Sequence, residues 1–370
     1  MSGPQRGRRY LAVDFWRGIA LLTIFVDHVP GNVFERLTQR NFGFSDATEI
    51  FVLLAGTAAA FAYMPRFANG EALGGAFRIL QRAFQIYMAH IVLVVCCAAI
   101  LTSAVTMTGD VRFLEAIHLD VLVDNTVPAL VGLTTLTMQP DYLNILPLYI
   151  VVLAMAPALI WLTLNHPLRG LLASGGLYVA TQFLWLNLPT YPLPGTWFFN
   201  PFAWQLLFTI GLVIGQSMKQ GRTLPTNPIL LALAGAYLLA ALLWVQSSFY
   251  FTRDFSPVPH FIWAFDKTNL SLPRLLHALA LVYVVSRLPM EKWLADNRFT
   301  APFIFLGRHS LPVFCVGTVL ALTFQMFRAI VGASLPIDTL LIGAGLLAQF
   351  AVAGVLEWHR IGTSRKPAIA

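Results

Sequence analysis

The stretch YLAVDFWRGIALLTIFVDHVPGN sets Asp14, Arg17, Asp27 and His28 within one apolar run. Ionisable groups there are costly and are kept when they pair or act. At about 100° per residue, Arg17 and His28 fall roughly 20° apart on one helix face and about 16 Å apart along it. Asp14 shares that stripe, whereas Asp27 points away from it. Such a helix carries a cation toward one face of a membrane and a titratable base toward the other. An imidazole so placed suits a general base that takes the proton of an attacking hydroxyl.

Other charges gather at helix starts. Ser45, Asp46 and Glu49 open FGFSDATEIFVLLAG near the depth of His28. The two carboxylates share a face. They can orient the imidazole and raise its basicity, or act as ordinary helix-start acids with Ser45 as the cap. Asp266, Lys267, Arg274 and His277 open DKTNLSLPRLLHALAL. Snorkelling accounts for Lys267 but not easily for Arg274 two turns further in, so a bound anion is expected there. Arg308 and His309 in FLGRHSLPVFC fit either anchoring by positive charge or phosphate binding. In LPTYPLPGTWFFNPFAWQ, Trp197 and Trp204 stand with Tyr191, Phe198 and Phe199 as an interfacial belt or a sugar-stacking platform. Cys96, Cys97 and Cys315 read as small buried apolar residues. No cluster has metal-ligand spacing.

The elements that hold these residues must be membrane helices. Of 370 residues, 57% are apolar and only 11% charged, with a mean hydropathy of +0.70. That composition excludes a soluble or disordered chain, and the net charge of +7 then gives no argument for nucleic acid. A spanning helix needs about 20 mainly apolar residues. Such runs lie near 11–30, 46–64, 85–105, 142–164, 171–188, 204–218, 228–249, 271–288, 303–327 and 338–358. The expectation is an all-α, polytopic bundle of about ten spans, residues 1–370 forming one domain with tails at 1–10 and 359–370. The first run reads as a retained helix and not a cleaved signal peptide. Arg6, Arg8, Arg9, Arg66, Arg78, Arg82, Arg169, Lys219, Arg222, Arg287, Lys292, Arg298, Arg360, Arg365 and Lys366 fall on the side of the termini. Only Arg36, Arg40, Arg112, Arg253, Lys267 and Arg328 fall opposite, so both termini are expected in the cytoplasm. The long connection from Thr106 to Asp141 is rich in acids and has an amphipathic or re-entrant middle; loops of this length usually have a purpose.

The arginine, ten residues, histidine spacing of Arg17 and His28 resembles that of the acyltransferase family three membrane enzymes. DFWRGIALLTIFVDHVPGN, RNFGFSDATEIFVLLAG, LPLY at 146–149, FNPFAWQLLF, DKTNLSLPRLLHALAL and LGRHSLPVF, in order along nearly the whole chain, resemble the OpgC family of osmoregulated periplasmic glucan succinyltransferases. Ala55 departs from a serine usual before that glycine, which removes any hydroxyl role at that position. The resemblance implies a multi-pass protein of the bacterial inner membrane and an O-succinyltransferase with succinyl coenzyme A as co-substrate. It further implies a periplasmic glucan acceptor and no permanently bound cofactor. On this reading Arg17 and Arg308 hold coenzyme A phosphates and His28 activates a glucose hydroxyl, with an acyl-histidine as a variant. Asp46 or Glu49 orients the imidazole, and Lys267 or Arg274 holds the succinyl carboxylate or the oxyanion. Asp14, Asp27, Asp266, His277, Trp197 and Trp204 complete the substrate-binding set. The alternatives are acetyl transfer to another envelope polysaccharide and an ion-coupled transporter; no inverted repeat supports the latter.

Overall fold

The computed structural model describes residues 10–222, 225–247 and 258–364, so Arg6, Arg8, Arg9, Arg253, Arg365 and Lys366 lie outside the described residues. The helices run in order α1 (Leu11–Asp27), α2 (Ala47–Ala68), α3 (Ala72–Thr108), α4 (Arg112–Glu115), α5 (Val121–Asp124), α6 (Thr126–Thr134), α7 (Ile145–Leu164) and α8 (Pro167–Leu184). They continue with α9 (Pro201–Lys219), α10 (Pro228–Gln246), α11 (His260–Trp263), α12 (Leu272–Val285), α13 (Met290–Asp296), α14 (Ala301–Arg308), α15 (Ser310–Val331) and α16 (Leu335–Ser364).

Seven of these, α2, α3, α7, α9, α10, α15 and α16, are long and apolar enough to cross a membrane. The other expected spans are modified. Helix α1 has 17 residues and carries three charges, α8 has 18, and α12 has only 14. The expected span at 303–327 is two helices, α14 and α15, which meet at His309 with φ −106° and ψ 37°. Helix α3 is longer than expected: 37 residues, about 55 Å at 1.5 Å each, with Arg78 and Arg82 inside it. Helix α16 likewise continues through the start of the expected tail.

The outer faces of α3, α10 and α16 expose Phe84, Val92, Val95, Leu233, Leu239, Leu243, Leu340 and Leu347. An apolar surface of this extent suits lipid and not water. Cys96 joins that exposed face, contrary to the expected burial, while Cys97 is buried.

Hydrophobic attraction cannot hold helices together within lipid, so close packing must. Two pairs supply it through glycine. A Cβ at Gly56 of α2 would strike the Phe208 carbonyl of α9, and one at Gly211 of α9 would strike the Leu53 carbonyl of α2. In the same way Gly18 of α1 meets the Phe303 carbonyl and Gly307 of α14 meets the Asp14 carbonyl. The first contact fixes the centre of the bundle. The second fixes how deep α14 sits beside Asp14.

Replacing Gly211 with Leu should cost at least the ~1–3 kcal/mol of an overpacked core, seen as a lower thermal midpoint in detergent. Gly235→Leu, where nothing lies within 4 Å, should leave the midpoint unchanged; equal midpoints for both variants would contradict this packing.

Candidate functional site

The charges of α1 belong to two clusters, one near each end. At the first, Arg17 Nη2 donates to Ser310 Oγ over 2.6 Å, and Asp14 Oδ2 lies 4.0 Å from Arg308 Nε. Arg308 also pairs with Glu357 of α16, whose carboxylate accepts from His309 Nε2 over 3.0 Å. Arg360 reaches the same carboxylate over 2.7 Å. The break at His309 turns Arg308, His309 and Ser310 toward α1 and α16. Asp14, Arg17 and Arg308 are thus brought together, and Glu357, His309 and Arg360 join them. Glu357 could have been read from the sequence as a lone acid in an apolar run.

At the other end His28 closes α1, followed by Pro30 and by Gly31 at φ 77°. Its backbone is clamped. Gln325 of α15 donates to the His28 carbonyl over 2.5 Å. Arg328 donates to the carbonyls of Pro30 and Gly31 over 2.6 and 2.8 Å and pairs with Asp338 over 2.7 Å. Asn32 donates to the Val26 and Val29 carbonyls and accepts from the amides of Phe34 and Glu35.

The imidazole itself is left available. Among the described residues no side chain hydrogen-bonds either ring nitrogen, and the ring meets Tyr142 edge-on at 5.1 Å between centroids. His28 lines a narrow cleft of about 10 Å³ with Cys97 of α3, Ile117, Asp141, Tyr142 and Leu143 of the long connection, and Thr318, Leu322 and Gln325 of α15. The segment from Thr106 to Asp141 therefore covers the histidine. Tyr142 holds φ 67°, a conformation costly for an aromatic residue and characteristic of functional sites.

Asp46 and Glu49 are directed elsewhere. They form a capping box on α2: Asp46 accepts from the Thr48 amide over 2.8 Å, and Glu49 accepts from the Asp46 amide over 2.9 Å. Their remaining oxygens meet Lys267 (2.5 Å to Asp46) and Arg274 (3.2 Å to Asp46, 2.5 Å to Glu49). Neither carboxylate bonds to His28, so the expected orienting contact is absent. The reason is charge: a buried guanidinium needs a carboxylate more than a neutral ring does. The Asp46–Lys267 pair still lies within electrostatic reach of His28. Lys267 and Arg274, expected to hold a substrate anion, are likewise engaged by protein carboxylates. Lys267 is the most exposed of the four, its side chain at 27%.

Their neighbours are structural. Asp266 accepts from the amides of Thr268 and Asn269, each over 3.0 Å, and so shapes the turn before α12. His277 Nδ1 lies 2.7 Å from Ser45 Oγ, with the ring against Gly43. Asp27 accepts from Thr38 over 2.6 Å. Trp204 is fully buried and donates to the Lys267 carbonyl over 3.0 Å; Trp197 is 3% exposed. Neither indole can serve as a belt or as a platform for a sugar. Tyr178 and Gln182 bond the carbonyls of Leu270 and Asn269 from α8, so irregular backbone there is satisfied within the protein.

Residues 9–361 match the model of the family described as OpgC protein. The chain belongs to the OpgC family. No curated protein and no solved structure matches it. Membership in the OpgC family suggests an acyltransferase-type activity, and the long apolar helices make this member a membrane protein.

Removing one partner of the buried quartet should be severe. Glu49→Gln and Arg274→Gln should each cost about 3–5 kcal/mol, read from thermal unfolding in detergent. The double variant should lose less than the sum; additive losses would show that the pair is not coupled.

Proposed function

We propose that this OpgC-family protein moves a succinyl group from succinyl coenzyme A to a hydroxyl of a periplasmic glucan, with His28 as general base. The carrying observation is the pairing of an unengaged imidazole, in a small cleft at one end of α1, with a polar cluster containing Arg17 and Arg308 near the other end. About 16 Å of helix separates Arg17 from His28, enough to need the extended arm of a coenzyme A thioester. In this reading the chain makes about ten passes through the bacterial inner membrane, with both termini cytoplasmic and the His28 end periplasmic.

The donor's phosphates meet Arg17 and Arg308, and its arm runs between α1 and its neighbours to the cleft. His28 takes the proton of a glucan hydroxyl as that oxygen bonds to the thioester carbonyl carbon. The tetrahedral intermediate collapses, the carbon–sulfur bond breaks, and the proton passes to the departing thiolate. Lys267, partly exposed and within electrostatic reach of His28, faces developing negative charge or the succinyl carboxylate. Asp46, Glu49 and Arg274 act as positioning residues that keep Lys267 in place.

Purified protein in nanodiscs, given labelled succinyl coenzyme A and neutral glucan, should yield ester-linked succinate by mass spectrometry, and His28→Ala should abolish the product with an unchanged thermal midpoint. No product with any acyl donor, together with solute flux in liposomes, would replace this reading by a transporter. Lys267→Met should impair succinyl transfer more than acetyl transfer; equal loss would reject recognition of the succinyl carboxylate.

A further inference from the structure

Where α1 begins, residues of the 289–299 segment line an open cleft of about 620 Å³. Lys292 and Arg298 supply two exposed cations, and neither has an ion pair among the described residues. Trp293 and Phe299 present aromatic rings at 48% and 71% exposure, with the Arg298 guanidinium over the Phe299 ring at 5.2 Å. Asp296 adds an acceptor. Asn297 uses its Oδ1 on the Phe299 amide over 3.0 Å, which leaves its amide N–H groups to donate.

The cleft adjoins the charged cluster of α1. Glu291 of α13 accepts from the amides of Leu11 and Ala12 over 3.3 and 3.2 Å, and Trp293 meets Phe15 edge-on at 6.0 Å. Phe15 is the residue after Asp14, which faces Arg308.

We propose that this cleft holds the nucleotide of the acyl carrier, its base against Trp293 or Phe299 and its ribose 3′-phosphate on Lys292 and Arg298, while the diphosphate extends toward Arg17 and Arg308. The inference rests on the acyl coenzyme A reading above. Flat rings beside two unpaired cations match a purine joined to phosphates. A phospholipid head group would use the cations but brings no ring, and its phosphate offers Asp296 no donor. An adenine amino group instead offers that carboxylate a donor.

The test is binding to the full chain in phosphatidylcholine nanodiscs, with coenzyme A and 4′-phosphopantetheine, which lacks the nucleotide, as probes. Trp293→Leu, and Lys292→Gln with Arg298→Gln, should each weaken coenzyme A about tenfold (about 1.4 kcal/mol) without weakening 4′-phosphopantetheine. Equal effects on both probes, or none on either, would overturn the nucleotide site while leaving the acyl coenzyme A reading intact. Loss of coenzyme A binding when phosphatidylglycerol is added would assign the cleft to lipid and overturn it too. Failure of the unaltered protein to bind either probe would overturn both this site and the reading beneath it.

Discussion

The architecture of the His28 end depends on the mutual neutralisation of Asp46, Glu49, Lys267 and Arg274. Glu49 has no exposed surface and the Arg274 side chain only 12%. At such a depth an uncompensated charge would cost several kcal/mol. Asp46 at the cap and Glu49 on the first turn of α2, with Lys267 in the turn before α12 and Arg274 on its first turn, therefore lock those helices together. The turn that delivers Lys267 is held in turn by Trp204, Tyr178 and Gln182 from α8 and α9. Helix α12 is short because this turn, and not further helix, occupies its end.

That arrangement separates two tasks that the sequence places side by side. Asp46, Glu49 and Arg274, which might have served substrate, instead make a rigid frame that leaves only Lys267 partly exposed, and the histidine beside it keeps both ring nitrogens available. The backbone of His28 has its own clamp from Gln325, Arg328 and Asn32. A base held by its main chain and covered by Tyr142 can act on a hydroxyl without being neutralised by a neighbour. The opposite end of α1 has a different character: its charges sit at a helix break, next to Glu357 and Arg360, and beside an open basic cleft.

Much of this could be read before the fold was known, because helix periodicity governs position along and around one helix. The alignment of Asp14, Arg17 and His28, the capping role of Asp46 and Glu49, and the order of the apolar runs follow from local rules. Partner choice does not. Lys267 lies 221 residues from Asp46, and nothing local says that it meets Asp46 before a ligand does. Trp197 and Trp204 have the composition of an interfacial belt, and only packing shows that they are buried. The break at His309 and the cover over His28 arise from contacts of α14 with α1 and of the long connection with α3 and α15. Neither leaves a periodic trace in the sequence.

The central claim is that one helix links a donor at its Arg17 end to an acceptor at its His28 end. Oriented proteoliposomes test it most directly, with labelled succinyl coenzyme A confined to the compartment at the Arg17 end and glucan to that at the His28 end. The account predicts labelled glucan in the His28 compartment, and none when donor and glucan are both supplied only there. Transfer with both substrates restricted to the His28 side would contradict it.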